Sequence, residues 1–157
     1  MATVTVAILM GSQSDMAKME KAAEVLKAFN VPHEVKVLSA HRLPDKVAEY
    51  AKAAEGNGVR VLIAGAGMAN HLAGALAANT TIPVIGVPLT GSALNGQDAL
   101  YATVQMPKGV PVATVAIDGA ANAGYLAVEI LALSDKALAE KLKAHRKAER
   151  EKLEAAQ

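Results

Sequence analysis

Val4-Thr5-Val6-Ala7-Ile8-Leu9-Met10-Gly11-Ser12-Gln13-Ser14-Asp15 opens as a continuous apolar, β-branched run and then breaks at a glycine into small polar residues. A strand that is apolar at every position is buried on both faces, as strands in parallel sheets are. Ser14 or Asp15 can cap a helix. Met16, Met19, Ala23, Leu26 and Phe29 then recur at helical spacing until Asn30 closes the unit. A buried strand feeding a helix through a polar turn is therefore the pattern to seek in the rest of the chain.

The pattern recurs. A second strand is expected over 33–38, and Pro44 opens a helix with Val47, Tyr50, Ala51 and Ala54 on one side, broken by Gly56-Asn57-Gly58. Residues 59–64 read as a third strand that enters a glycine-rich turn over 65–74, with a short helix to Ala78. Residues 82–87 make a fourth strand, followed by a polar loop over 89–96 and a helix around 98–104. A fifth strand is expected over 110–117, although Pro111 limits how early it joins the ladder. From 119 to 133 apolar residues cover nearly the whole circumference, interrupted only by Asn122 and Glu129. A helix of that composition is expected to be buried on all sides, which in so small a chain favours a subunit interface. The last segment, 134–157, starts with a Ser cap and an Asp in its first turn and reads as a solvated helical arm.

Strands alternating with helices imply a parallel sheet with right-handed crossovers. The expected architecture is a three-layer α/β/α domain over 1–133, flavodoxin-like, with five parallel strands in the order 2-1-3-4-5, plus a helical extension over 134–157. In that order the turns after the first three strands converge on one edge crevice at the switch point.

At 157 residues the chain suits one domain with a full core. A net charge of +1, with basic residues scattered except in the last helix, offers no face for nucleic acid. The absence of cysteine removes any disulfide framework or thiolate ligand and suits the cytoplasm. Met1-Ala2-Thr3 lacks the basic start of a secretion signal, and no apolar run reaches the roughly 18 residues that span a bilayer. A soluble cytoplasmic protein is expected. Hydrophobic residues make up 52% of the chain against 20% charged, which points to surface hidden against further copies.

Three turns hold the polar residues of interest. In Gly11-Ser12-Gln13-Ser14-Asp15 the free N–H groups of the coming helix attract an anion, and Ser12 and Ser14 add hydroxyls. Asp15 would repel a phosphate and suits the vicinal hydroxyls of a ribose instead; taken alone, a turn like this is usually a plain Ser/Asp cap. In Ser39-Ala40-His41-Arg42-Leu43-Pro44 a hydroxyl and a guanidinium together suit a phosphate. Between them His41 carries the one side-chain type that both gives and takes a proton near neutrality, unless it merely caps or packs. In Gly65-Ala66-Gly67-Met68-Ala69-Asn70-His71-Leu72-Ala73-Gly74, Asn70 falls where the third glycine of a dinucleotide fingerprint would stand, and no lysine completes a P-loop. That turn offers close backbone approach to a flat ring or a carboxylate, and His71 either touches ligand or satisfies backbone behind it. His33 and His145 are expected to face solvent, and no His/Asp/Glu set has metal-ligand spacing. A flavin carrier would want an aromatic residue in these turns, and a phospho-receiver an acidic pair after the first strand; neither is present. Binding without catalysis remains open on the residues alone.

Gly11 to Asp15, Ser39-Ala40-His41-Arg42 with Pro44, Gly65-Ala66-Gly67 with His71-Leu72, Val104-Gln105-Met106-Pro107 and Asn122-Ala123-Gly124 occur in an order that resembles the N5-carboxyaminoimidazole ribonucleotide mutases of purine biosynthesis. The resemblance spans nearly the whole chain. It implies an isomerase that works as a homo-octamer, with sites at subunit junctions and without cofactor or metal. It implies that Ser12, Ser14, Ser39 and Arg42 hold a 5′-phosphate and Asp15 the ribose hydroxyls. The third turn, with Gly67, His71 and Leu72, would take the imidazole and carboxylate of the ribonucleotide. His41 would shuttle the proton while the carboxyl group leaves N5 as CO2, is trapped, and reattaches at C4. An apolar lining of Ala66, Met68, Ala69 and Leu72 suits the retention of CO2. The third turn departs from the family pattern at Met68, Asn70 and Ala73. Asn70 is similar to a sister group that carboxylates aminoimidazole ribonucleotide directly with CO2, whereas Arg42, His71 and the Val104 stretch side with the mutases. The alternatives are that direct carboxylation and a non-catalytic phosphoribosyl-binding module.

Overall fold

Five strands form one all-parallel sheet in the order β2-β1-β3-β4-β5 in a computed structural model that describes residues 4–157. The N-terminal segment Met1-Ala2-Thr3, read above for a secretion signal, lies outside the described residues. In chain order the elements are β1 (Val6–Met10), α1 (Met16–Ala28), β2 (His33–Val37), α2 (Pro44–Ala54), β3 (Val61–Gly67), α3 (Leu72–Ala77), β4 (Val84–Leu89), α4 (Gln97–Val104), β5 (Ala113–Thr114), α5 (Ala120–Ala132) and α6 (Lys136–Ala155).

The apolar run that opened the chain is explained by its place between β2 and β3. Successive side chains of a strand point to opposite faces. Val6, Ile8 and Met10 pack with Met19, Ala22 and Leu26 of α1 and with Ala123 and Ala127 of α5. Ala7 and Leu9 pack with Val47 and Ala51 of α2 and Leu72 and Leu76 of α3. Both faces are covered, so neither can be polar. Among the described residues no helix is long and apolar enough to cross a membrane.

Several expectations need correction. The third strand does not stop at Ala64 but runs to Gly67, pairing Met10 with Gly65 and Gly67 with Leu89. Its glycines answer close packing, not a turn: a Cβ on Gly65 would stand 2.2 Å from Met19 Sδ. The fifth strand is only Ala113–Thr114, on the edge beyond Pro111. Helix α6 is capped by Asp135, whose carboxylate accepts from the Leu138 N–H at 3.0 Å, rather than by Ser134. Within one chain helix α5 is covered over part of its circumference, and the remainder is the face expected above to meet further copies. Ala120, Ala123, Gly124, Ala127 and Val128 are buried while Asn122 and Leu133 are exposed. His145 does not simply face solvent: its ring lies 5.4 Å from those of Phe29 and Tyr125, and Nε2 is 3.0 Å from the Tyr125 hydroxyl. His33 is half-buried with Nδ1 2.8 Å from the Val31 carbonyl.

Candidate active site

The turns that follow β1, β2 and β3 converge on one cavity of about 660 Å3, a size that suits a small-molecule ligand. Ser12, Ser14 and Asp15 line it from the first turn, Ser39, His41 and Arg42 from the second, and Gly67, His71 and Leu72 from the third. Every residue singled out in those turns for ligand contact therefore meets its fellows at one site.

Ser12 sits in extended backbone, and its hydroxyl oxygen accepts from the Ser14 N–H at 3.3 Å and from the Ser14 hydroxyl at 3.0 Å. This caps a single 3-10 turn, Gln13–Asp15, before α1 begins. Asp15 is partly buried. Burial raises its carboxyl above the usual aspartate value, while a backbone hydrogen bond at Ser12 and the Lys18 ammonium pull it back. The second turn is closed by the Leu43 N–H donating to the Ser39 carbonyl at 2.9 Å and the Arg42 N–H donating to the Ser39 hydroxyl oxygen at 3.3 Å. His41 and Arg42 are left exposed at its tip, just ahead of Pro44, whose fixed φ starts α2.

After β3 the chain turns sharply. Met68 takes left-handed backbone with φ 52°, the Asn70 N–H donates to the Met68 carbonyl at 2.9 Å, and the His71 N–H donates to the Ala69 carbonyl at 2.8 Å. A left-handed non-glycine residue is a strained choice that persists where its surroundings enforce it. The turn carries the His71 ring to His41. His41 Nε2 and His71 Nδ1 are 2.8 Å apart, with the ring planes at 80°. One proton lies between those two nitrogens, so each ring's tautomer depends on the other.

Asn70 is turned away from the cavity. Fully buried, it donates to Thr103 Oγ1 at 2.9 Å and to the Val87 carbonyl at 3.3 Å, while its Oδ1 has no hydrogen-bond partner in the protein. It braces the turn against β4 and α4. Three further cavity residues, Lys18, Thr90 and Gly91, escaped the sequence reading. Lys18 carried a signal, since a cation in the first turn of a helix opposes the dipole. Thr90 and Gly91 carried none beyond lying in a polar loop. Gly67 lets the Leu89–Thr90 backbone come close: a Cβ there would stand 3.3 Å from the Leu89 carbonyl oxygen.

Arg42 supplies positive charge, the serines hydroxyls, Asp15 a carboxylate, and Ala66, Met68, Ala69 and Leu72 an apolar wall. That set suits an anionic sugar ester bearing a flat ring. Among the described residues no group of three or more His, Asp or Glu side chains could hold a metal ion. A larger cavity of about 930 Å3 lies among Phe29, Val31, Ile82 and Leu131. No imidazole lines it, and it is not at the C-terminal strand ends where open α/β sheets hold ligands.

Residues 5–152 match the family model described as AIR carboxylase. The N5-carboxyaminoimidazole ribonucleotide mutase of Escherichia coli (strain K12) is 56% identical over 146 residues, covering 92% of this chain and 86% of that protein. A phosphoribosylaminoimidazole carboxylase of Schizosaccharomyces pombe is 58% identical over 127 residues, 81% of this chain and 23% of that protein. The crystal structure of Treponema denticola PurE superposes with a TM-score of 0.86 at 32% identity, covering 95% of this chain and 93% of that one.

Proposed function

This chain belongs to the AIR carboxylase family, and on that premise we propose that it is an N5-carboxyaminoimidazole ribonucleotide mutase in which His41 carries the proton. It is an isomerase of purine biosynthesis, in line with its mutase relatives. The observation that carries the residue roles is the hydrogen-bonded His41–His71 pair on a cavity that also holds Arg42, Asp15 and the turn serines.

In this reading Ser12, Ser14, Ser39 and Arg42 bind the 5′-phosphate. Arg42 supplies the charge and the serines supply donors. Asp15 accepts hydrogen bonds from the ribose hydroxyls. The ring lies against the backbone of the third turn at Gly67, with His71 and Leu72 beside it. As the N5–carboxyl bond breaks, its electron pair stays on N5 and takes a proton from His41, releasing CO2. C4 then attacks the CO2 carbon, and the proton displaced from C4 returns to His41, so the imidazole ends as it began. His71 is the partner that orients the His41 ring between the two transfers. The apolar wall keeps water from the CO2 held between the steps.

Met68 is 62% exposed and Leu94 60% exposed in a single chain. Met68 lines the cavity, and apolar exposure of this kind suits cover by further copies; with the resemblance to the mutases, the reading is a cytoplasmic homo-octamer with its sites at subunit junctions. No cofactor or metal takes part in the proposed steps.

Purified protein supplied with N5-carboxyaminoimidazole ribonucleotide and no added bicarbonate is expected to form the C4-carboxylated product. Product formed only from aminoimidazole ribonucleotide with bicarbonate would overturn the mutase assignment in favour of direct carboxylation.

A further inference from the structure

Lys18 of α1, Thr90 after β4 and Asp118 after β5 form a closed clasp at one side of the cavity. The Lys18 ammonium donates to the Thr90 carbonyl at 2.8 Å and to Thr90 Oγ1, and its Nζ lies 3.3 Å from Asp118 Oδ1. The Thr90 N–H donates to Asp118 Oδ1 at 2.9 Å and the Thr90 hydroxyl to Oδ2 at 2.5 Å. An ammonium has three donors, and here all three have acceptors. Lys18 is therefore committed to the protein rather than free for a ligand's phosphate.

Two of the three members occupy unfavourable positions taken singly. Lys18 is the third residue of α1, where the dipole repels a cation. Asp118 is left-handed at φ 57°, a conformation rare outside glycine. Burial pushes the Asp118 carboxyl up, yet the Thr90 hydrogen bonds and the Lys18 charge outweigh it and hold the group below the usual aspartate value. The clasp also spans the sheet, since β3 and β4 separate β1 from β5. Strained or ill-placed residues that satisfy one another beside a ligand cavity point to function.

We propose that Lys18 and Asp118 are positioning residues: together they fix Thr90 and Gly91 as one wall of the ribonucleotide cavity and so set how tightly the ribonucleotide is held. The inference rests on the ribonucleotide reading given above.

Lys18→Met is expected to raise KM about tenfold while kcat changes by less than about twofold, with Lys18→Arg recovering most of the loss. Asp118→Asn, which tolerates the left-handed backbone, is expected to give the same rise. The double variant Lys18→Met/Asp118→Asn should lose about tenfold in all rather than about a hundredfold, because both changes open one clasp. Amide exchange over residues 91–96, measured without ligand, should accelerate in each neutral variant. An unchanged KM, multiplicative losses in the double variant, or unchanged exchange would each overturn the proposal. Faster exchange in a protein whose wild type does not turn over the ribonucleotide would instead sink the reading of function and leave the clasp standing.

Discussion

His41 and His71 lie 30 residues apart in the chain, yet their ring nitrogens are 2.8 Å from one another. Nothing in either local sequence announces that contact, because it depends on two turns being brought to the same rim. The individual side chains were legible where chemistry alone identifies them. A hydroxyl, an imidazole and a guanidinium in Ser39 to Arg42 read as phosphate and proton chemistry before any fold is known. Arg42→Ala is expected to weaken binding of a 5′-phosphorylated ribonucleotide by about tenfold to a hundredfold, the worth of a charge-assisted hydrogen bond. Titration calorimetry with the ribonucleotide checks it, and unchanged affinity would put the phosphate elsewhere. Asn70 was the residue least legible from the sequence. It resembles a marker of a different carbon source, but its amide is sealed against Thr103 and Val87. Its partner lies 33 residues away on α4, which local spacing does not reveal.

At the level of elements, period and turn chemistry located the helices and the first four strands to within a few residues: burial on both faces leaves a continuous apolar signature in β1, β3 and β4, while the half-exposed edge strand β2 shows in the alternation His33-Glu34-Val35-Lys36-Val37. One error comes from glycine. Glycine was read as a sign of turns, whereas Gly65 sits inside β3 because Met19 crosses over it. The same ambiguity holds at Gly124 in α5, where a Cβ would stand 2.9 Å from the Ala22 carbonyl oxygen and 2.9 Å from Val25 Cβ on α1. Helix propensity alone would make Gly124→Ala stabilising by about 1 kcal/mol. Backbone cannot yield as a flexible side chain can, so overpacking wins and the variant is expected to lose about 1–3 kcal/mol. Urea denaturation measures it, and a gain in stability would show that α1 and α5 are not so closely packed. Strand β5 was overestimated because its residues are apolar, while only Ala113 and Thr114 find pairing partners on β4.

For the molecule as a whole, the sheet order makes the site. With β1 at the switch point between β2 and β3, the ends of all three strands open on one cavity, and the polar residues scattered over residues 11–72 become neighbours. A single chain leaves Leu94, Tyr101 and Leu133 at 60%, 62% and 88% exposure. Apolar surface on that scale suits burial by further copies. Light scattering of the purified protein is expected to report an octamer, and a mass of one subunit would refute it. On the proposed function, this convergence serves one imidazole moving one proton. His41→Asn keeps a polar group of similar reach but cannot carry the proton, so turnover of N5-carboxyaminoimidazole ribonucleotide should fall at least about a hundredfold while its affinity changes by less than about threefold. A His41→Asn enzyme that keeps near-normal turnover would show that His41 does not carry the proton.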